Sequence, residues 1–173
     1  TIPFGQGLSV TALQAASVFA TIANGGERVT PQLIKGFTDA DGRFTPVAAP
    51  ERSRVVSSRT ARMVTNMLES VVSEEGTAPT AAIPGYRVAG KTGTAYRYDE
   101  RCAGYCGYTA SFIGFAPADD PAVVVACTIQ NPVNGHFGGQ LCGPVFTEVM
   151  KFALASLKVP PTGTKPPRLR LAW

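Results

Sequence analysis

The sequence predicts an α+β domain, an antiparallel sheet with helices packed on it. Two stretches with apolar residues at helical spacing each begin at a residue suited to capping a helix. Three strand-like runs in the second half are joined by short connections, which favour antiparallel neighbours because a parallel crossover needs a dozen or more residues. A last apolar stretch follows a proline placed for the first turn of a helix. The order is helix, hairpin, helix, three-stranded meander, helix, with no internal repeat.

Thr11-Ala12-Leu13-Gln14 is a capping box, in which the Thr hydroxyl and the Gln amide satisfy backbone N–H groups of the first turn. The Ala-rich run after it predicts a helix over about 11–23, stopped at Asn24-Gly25-Gly26, residues that tolerate a left-handed end. Residues 32–37 and 43–48 flank Asp39-Ala40-Asp41-Gly42 and read as a hairpin. Ser57 or Ser58 caps a second helix reaching about Ser73, with Val64, Met67, Leu68, Val71 and Val72 as its core stripe and Gly76 as its end. Strands are expected over Tyr86–Tyr96, Tyr108–Ala116 and Ala122–Gln130, the last two joined by a Pro and Asp turn. Pro144 opens a final helix to about 157. Residues 1–159 form the domain portion, and the Pro-rich, basic tail 160–173 is expected to be extended unless docked.

Composition narrows the function. The chain has 173 residues, 45% hydrophobic and 16% charged. Such a length can bury a core, and a charged share below the usual quarter suggests that part of the surface packs on something else, such as the rest of its own domain. The net charge of +4 comes from scattered Lys and Arg, which argues against nucleic-acid binding. No apolar run reaches the roughly 18 residues of a membrane span. The chain opens at Thr1-Ile2-Pro3-Phe4 without a start Met, as a piece cut from a longer chain would. The four cysteines, 102, 106, 127 and 142, form no CxxC, which weighs against a zinc or thioredoxin-type site. An even count fits disulfides outside the cytoplasm, three pairings are open, and four small buried hydrophobes are the alternative.

One lysine belongs to two motifs. Gly85-Tyr86-Arg87-Val88-Ala89-Gly90-Lys91-Thr92 matches the P-loop string G-x-x-x-x-G-K-[ST]. A P-loop needs a strand before it and a helix after it. Here two prolines precede it and Thr92-Gly93-Thr94-Ala95-Tyr96 follows without helical pattern, so nucleotide binding is set aside. The second motif is Lys91-Thr92-Gly93, followed by Thr94, the K-T-G of penicillin-binding proteins and class A β-lactamases. A substrate ending in a carboxylate needs a cation and hydroxyl donors, which Lys91, Thr92 and Thr94 supply. Gly93 lets a substrate backbone approach, an edge strand can pair with an extended peptide, and a strand N–H can serve an oxyanion hole. Alone, three residues are better read as a solvated lysine on a strand.

The surroundings make the case specific. Phe4-Gly5-Gln6-Gly7-Leu8-Ser9-Val10-Thr11-Ala12-Leu13-Gln14 resembles the GQG-x-S-V-T-x-L-Q segment of class B penicillin-binding proteins, and Ala23-Asn24-Gly25-Gly26 resembles the ANGG after it. Gly85 to Ala95 resembles their K-T-G strand, Ser111 to Pro117 the next strand, and Phe137-Gly138-Gly139 with Gly143-Pro144-Val145-Phe146 the approach to their last helix. The segments run in the family's order over about residues 4–157 and are most similar to the division-type, monofunctional members.

The resemblance implies a serine D,D-transpeptidase that cross-links peptidoglycan stem peptides through an acyl-enzyme and is trapped by β-lactams. It implies no cofactor and no metal. It implies partners in the division machinery and a place on the outer face of the bacterial membrane, held by an N-terminal anchor that is not in this sequence. Lys91, Thr92, Gly93 and Thr94 would bind the substrate carboxylate, and the Thr94 backbone N–H would be half of the oxyanion hole. None of the serines 9, 17, 53, 57, 58, 70, 73, 111 and 156 has a lysine three residues on, and none begins S-x-N. The nucleophile, its lysine and the second catalytic serine are therefore expected in sequence preceding the Gly-Gln-Gly segment.

The cysteines depart from the commonest family pattern. A Cys102–Cys106 bond would close a five-residue loop beside the substrate groove, a constraint of about 2 kcal/mol. Cys127 and Cys142 would form a second pair. The single histidine, His136, sits among Asn134, Gly135 and Gly138 and reads as a surface loop residue, and Trp173 as a disordered end, with a docked tail or a partner contact as the alternative. Two other functions compete: a serine D,D-carboxypeptidase or β-lactamase, against which the Gly-Gln-Gly and SFIGFAP segments weigh, and a non-catalytic sensor or scaffold, which would lack S-x-x-K.

Overall fold

A computed structural model describes residues 2, 6–167 and 169. Arg168, Arg170 and Trp173 of the tail, and Phe4 and Gly5 of the Gly-Gln-Gly segment, lie outside the described residues.

Helix α1 spans Ala12–Ala23. Its start is the expected capping box, with Gln14 N–H donating to Thr11 Oγ1 at 3.1 Å and Thr11 N–H to Gln14 Oε1 at 2.9 Å. It stops where Gly25 and Gly26 take positive φ, 63° and 90°. The strands β1 (Glu27–Val29) and β4 (Arg52–Arg54) form an antiparallel pair that the sequence does not announce, since both are three-residue, polar and without alternation. Between them lies the hairpin β2 (Gly36–Thr38) and β3 (Phe44–Pro46), shorter than expected. Asp39 Oδ1 holds its turn by accepting from the N–H groups of Asp41 and Arg43 at 3.1 and 2.8 Å.

Helix α2, Ser58–Ser70, is capped by Ser57, whose hydroxyl accepts from Thr60 N–H at 3.0 Å. It ends three residues early, and its buried face differs from the expected stripe. Met67 is 58% exposed, whereas Ala61, Thr65 and Glu69 are buried. Leu68, Val71 and Val72 do pack on the core. Glu69 goes inward because Arg87 meets it there, an attraction across the fold that no local periodicity encodes.

Strands β5 (Ala89–Asp99), β6 (Gly104–Ala116) and β7 (Val123–Gln130) form an antiparallel sheet in that order, so β5 is an edge strand. β5 begins later than Tyr86 because Gly85 (φ 85°) and an Ile83–Tyr86 bridge bend the chain first. No helix follows Lys91, as a P-loop would require.

Helix α3 spans Gly138–Ser156, starting six residues before the expected Pro144. The cause is tertiary. A Cβ on Gly138 would run into the carbonyls of Ser111 and Gly93, and one on Gly139 into that of Thr77, so this glycine pair seats the helix start directly on the sheet. Pro144 lies inside the helix and leaves the carbonyl of Gln140, which is exposed to water, without its usual donor.

Helices cover both faces of the sheet. On one, Phe112 meets Phe146 of α3 edge-on at 4.8 Å, joined by Met150, Leu154 and Cys142. On the other, Ala89, Phe115 and Val124 pack against Phe19 and Ile22 of α1 and Leu68 of α2. The chain is held at the tail's root, where Tyr86 OH donates to the Val159 carbonyl at 2.7 Å, and the tail itself docks through Thr164, which accepts from Arg87 at 3.3 Å and donates to Asp119. Among the described residues, no helix is long and apolar enough to cross a membrane.

Candidate active-site groove

Lys91, Thr92, Gly93 and Thr94 lie on edge strand β5, opposite Ile113, Phe112, Ser111 and Ala110 of β6. Strand alternation puts Thr92, Thr94 and Tyr96 on the face that α3 covers. Thr94 Oγ1 accepts from Gly138 N–H, the first of α3, at 3.3 Å. Thr92 Oγ1 lies 3.2 Å from Thr77 Oγ1. The start of α3, with its partial positive charge, therefore abuts the two threonines.

These residues line a groove of about 1030 Å³ with Gln6, Thr77, Gly138, Gly139 and Gln140. Beyond Thr94 the wall is aromatic. Tyr96 and Tyr108 face each other across β5 and β6 at 5.0 Å, His136 stacks on Tyr108 at 4.4 Å with 20° between planes, and Phe137 lies 4.2 Å from His136. Gln6 Oε1 accepts from Tyr96 N–H at 2.7 Å on the open edge of β5. Along a strand N–H groups alternate in direction, so the Thr94 N–H, two residues back, points to the same open edge.

Lys91 supplies the groove's fixed cation. Its Nζ donates to the Thr92 carbonyl at 3.0 Å, and no carboxylate lies within ion-pair distance of it among the described residues. Burial pulls its pKa below the ordinary lysine value, because a half-buried ammonium loses hydration. A cation that is partly dehydrated, unpaired and flanked by hydroxyls and a helix N-terminus is arranged to take an anion.

The hairpin joining β5 to β6 carries the Cys102–Cys106 disulfide, with Cα atoms 6.6 Å apart. Cys106 lies on β6 itself rather than in a loop. Behind the tip, Tyr98 and Tyr105 meet edge-on at 5.8 Å. Arg101 pairs with Asp99 and holds its carboxyl below the usual carboxylate range. The expected second bridge is not formed. Cys127 and Cys142 are free thiols, and Cys142 Sγ donates to the Ala110 carbonyl at 3.5 Å. Burial pushes the Cys142 thiol up to about 12.

The structure thus gathers Lys91, Thr92 and Thr94 in one groove, with Gly93 passing beneath Ser111 Oγ. His136, expected on a surface loop, lies in the groove wall. Its loop is polar and glycine-rich, as expected; its ring is held by Tyr108, which is distant in sequence. Gln6, Thr77, Tyr96, Tyr108 and Phe137 were not anticipated as groove residues. The Gly-Gln-Gly string was the one available signal for Gln6, and the alternation of Thr92, Thr94 and Tyr96 for the tyrosine.

Residues 1–151 match the penicillin binding protein transpeptidase domain family. The chain belongs to that family. It is 40% identical to penicillin-binding protein PbpB of Mycolicibacterium smegmatis over 98% of its length and 28% of that protein's. It is 39% identical to stage V sporulation protein D of Bacillus subtilis, over 93% of this chain and 25% of that one. Among solved structures, penicillin binding protein 3 of Mycobacterium tuberculosis complexed with aztreonam superposes with a TM-score of 0.86 at 36% identity, covering 99% of this chain and 40% of that one. The chain spans about a quarter of the length of these curated relatives.

Proposed function

We propose that this chain is the substrate-holding part of a peptidoglycan D,D-transpeptidase that acts through a serine acyl-enzyme and is inhibited by β-lactams. One observation carries the reading: a half-buried Lys91 without a carboxylate partner among the described residues, beside the Thr92 and Thr94 hydroxyls on an open sheet edge. The likeness to proteins named D,D-transpeptidases and to a relative crystallised with aztreonam supports it.

In this reading the terminal carboxylate of a stem peptide accepts hydrogen bonds from Lys91 Nζ and from the Thr92 and Thr94 hydroxyls. For Thr94 this requires that its hydroxyl accept from Gly138 while donating to substrate, which one hydroxyl can do. The peptide lies along the free edge of β5 as an added strand. The Thr94 N–H points to that edge and stabilises the oxyanion formed when the nucleophile attacks. The attacking serine and its lysine come from sequence outside this chain. So does the anchor that would hold the protein on the outer face of the membrane for septal synthesis with division proteins.

The test is covalent labelling of the folded full-length protein with a fluorescent penicillin. A label on one serine that survives denaturation and is mapped by mass spectrometry is expected. Folded protein that takes no label overturns the transpeptidase reading and favours a sensor or scaffold. Rapid hydrolysis of the label would favour a β-lactamase.

A further inference from the structure

We infer that His136 is a specificity residue of the groove: its ring N–H selects acyl donors that carry a second carboxylate besides the one held at Lys91. The inference deepens the transpeptidase reading and rests on it.

Position comes first. His136 is stacked face to face on Tyr108 and leans on Phe137, so its ring plane is set by neighbours on both sides. It lines the same groove as Lys91, Thr92 and Thr94, on the stretch beyond Thr94. A donor whose terminal carboxylate sits at Lys91 therefore directs its remaining length along a wall that contains one imidazole.

Charge comes second. The groups that face His136 or share its groove are Tyr108 from β6 and Tyr96 and Lys91 from β5, while the lining residues from α3 and the N-terminal segment, Gln140 and Gln6, are neutral. No carboxylate lines the groove among the described residues, and none pairs with His136. Tyr108 remains a neutral phenol at physiological pH, since the Tyr96 hydroxyl beside it raises its pKa above the ordinary 10.0. A ring N–H here has no carboxylate partner among the described residues. The available partner is an anion on the ligand.

The experiment compares benzylpenicillin with carbenicillin, which differs from it by one carboxylate on the acyl side chain. Acylation rate constants are measured on the full-length protein and on His136→Phe, and the carbenicillin-to-benzylpenicillin ratio is compared. The ratio is expected to fall about fivefold in His136→Phe, which keeps the stack and loses the ring N–H, the worth of one hydrogen bond. Because it is a ratio, changes common to both penicillins divide out. A ratio unchanged in His136→Phe overturns the inference. Failure of benzylpenicillin itself to acylate would instead remove the transpeptidase reading beneath it.

Discussion

Arg87 and Lys91 stand one helical turn apart in sequence number, at the mouth of the same strand, and meet opposite electrostatic fates. The Arg87 guanidinium forms a fork with Glu69, Nε to Oε1 at 2.7 Å and Nη2 to Oε2 at 2.8 Å, and lies 3.8 Å from Asp119. That hydrogen bonding to Glu69 raises its pKa. Lys91 has no carboxylate partner among the described residues, and burial lowers its pKa. Arginine suits the first role because its planar fork matches a carboxylate; lysine suits the second because a point charge on a flexible stem can adapt to a ligand. The first cation is satisfied by the fold and ties α2 and the tail to the sheet. The second is left without a counter-charge, at a cost to the fold, where in the proposed function a substrate carboxylate would complete it.

The contrast breaks most visibly at Arg87. Arg87→Ala leaves Glu69, whose side chain is 2% exposed, without a counter-charge. A loss of about 3–5 kcal/mol is expected, and with it a fall in Tm of roughly 10 °C, read by thermal denaturation of the full-length protein. A loss below about 1 kcal/mol would mean that Glu69 finds another donor.

Lys91→Ala is the mirror experiment. Penicillin acylation is expected to slow by about 10- to 100-fold, the worth of one hydrogen bond to a charged group, while Tm stays level or rises. The pH sign follows from burial. Below the lowered folded pKa both states hold the proton, and the desolvation cost is fully present. Between that value and the ordinary 10.5 the unfolded chain binds more protons, so wild-type stability rises with pH across this window. Lys91→Met is expected to lose that rise in denaturant titrations run from pH 7 to 10.5; an unchanged slope would assign the rise to another group.

Smaller effects sharpen the comparison. Replacing Cys102 and Cys106 together by Ser removes a short closed loop, with at most about 2 kcal/mol lost. Intact mass with alkylation is expected to count one bridge and two thiols. Cys142, buried and with its thiol pushed up to about 12, should resist iodoacetamide at pH 8 until the protein unfolds. Thr164→Ala is the mildest change. It removes the hydroxyl between Arg87 and Asp119 and should cost about 1 kcal/mol, with faster proteolysis of the tail as a second readout.

Features governed by near neighbours were legible in the sequence. The caps at Thr11 and Ser57 and the Asp39 turn follow from side chains that reach backbone only a few residues away. The meander was legible because its strands alternate and its connections are short. Lys91 to Thr94 were legible as substrate-binding candidates through their motif and its surroundings, and the family membership through five ordered segments. The start of α3 was not, because Pro144 is a good helix opener locally while the glycine pair at 138 and 139 is a poor one, and contact with Ser111 and Thr77 overrules both.

The sequence by itself determined the class of fold, the order of its helices, hairpin and meander, and the lysine and hydroxyls of the groove, since these depend on backbone preference and residue chemistry along a few residues. Tertiary structure decided which cation is neutralised and which left free, which face of α2 turns inward, and that the loop residue His136 lines a groove wall. Each of those outcomes depends on pairs distant in the chain, such as Glu69 with Arg87 and Tyr108 with His136. Charge pairing and ring stacking act through space at a few ångströms, and a sequence pattern carries no record of which distant side chains come that close.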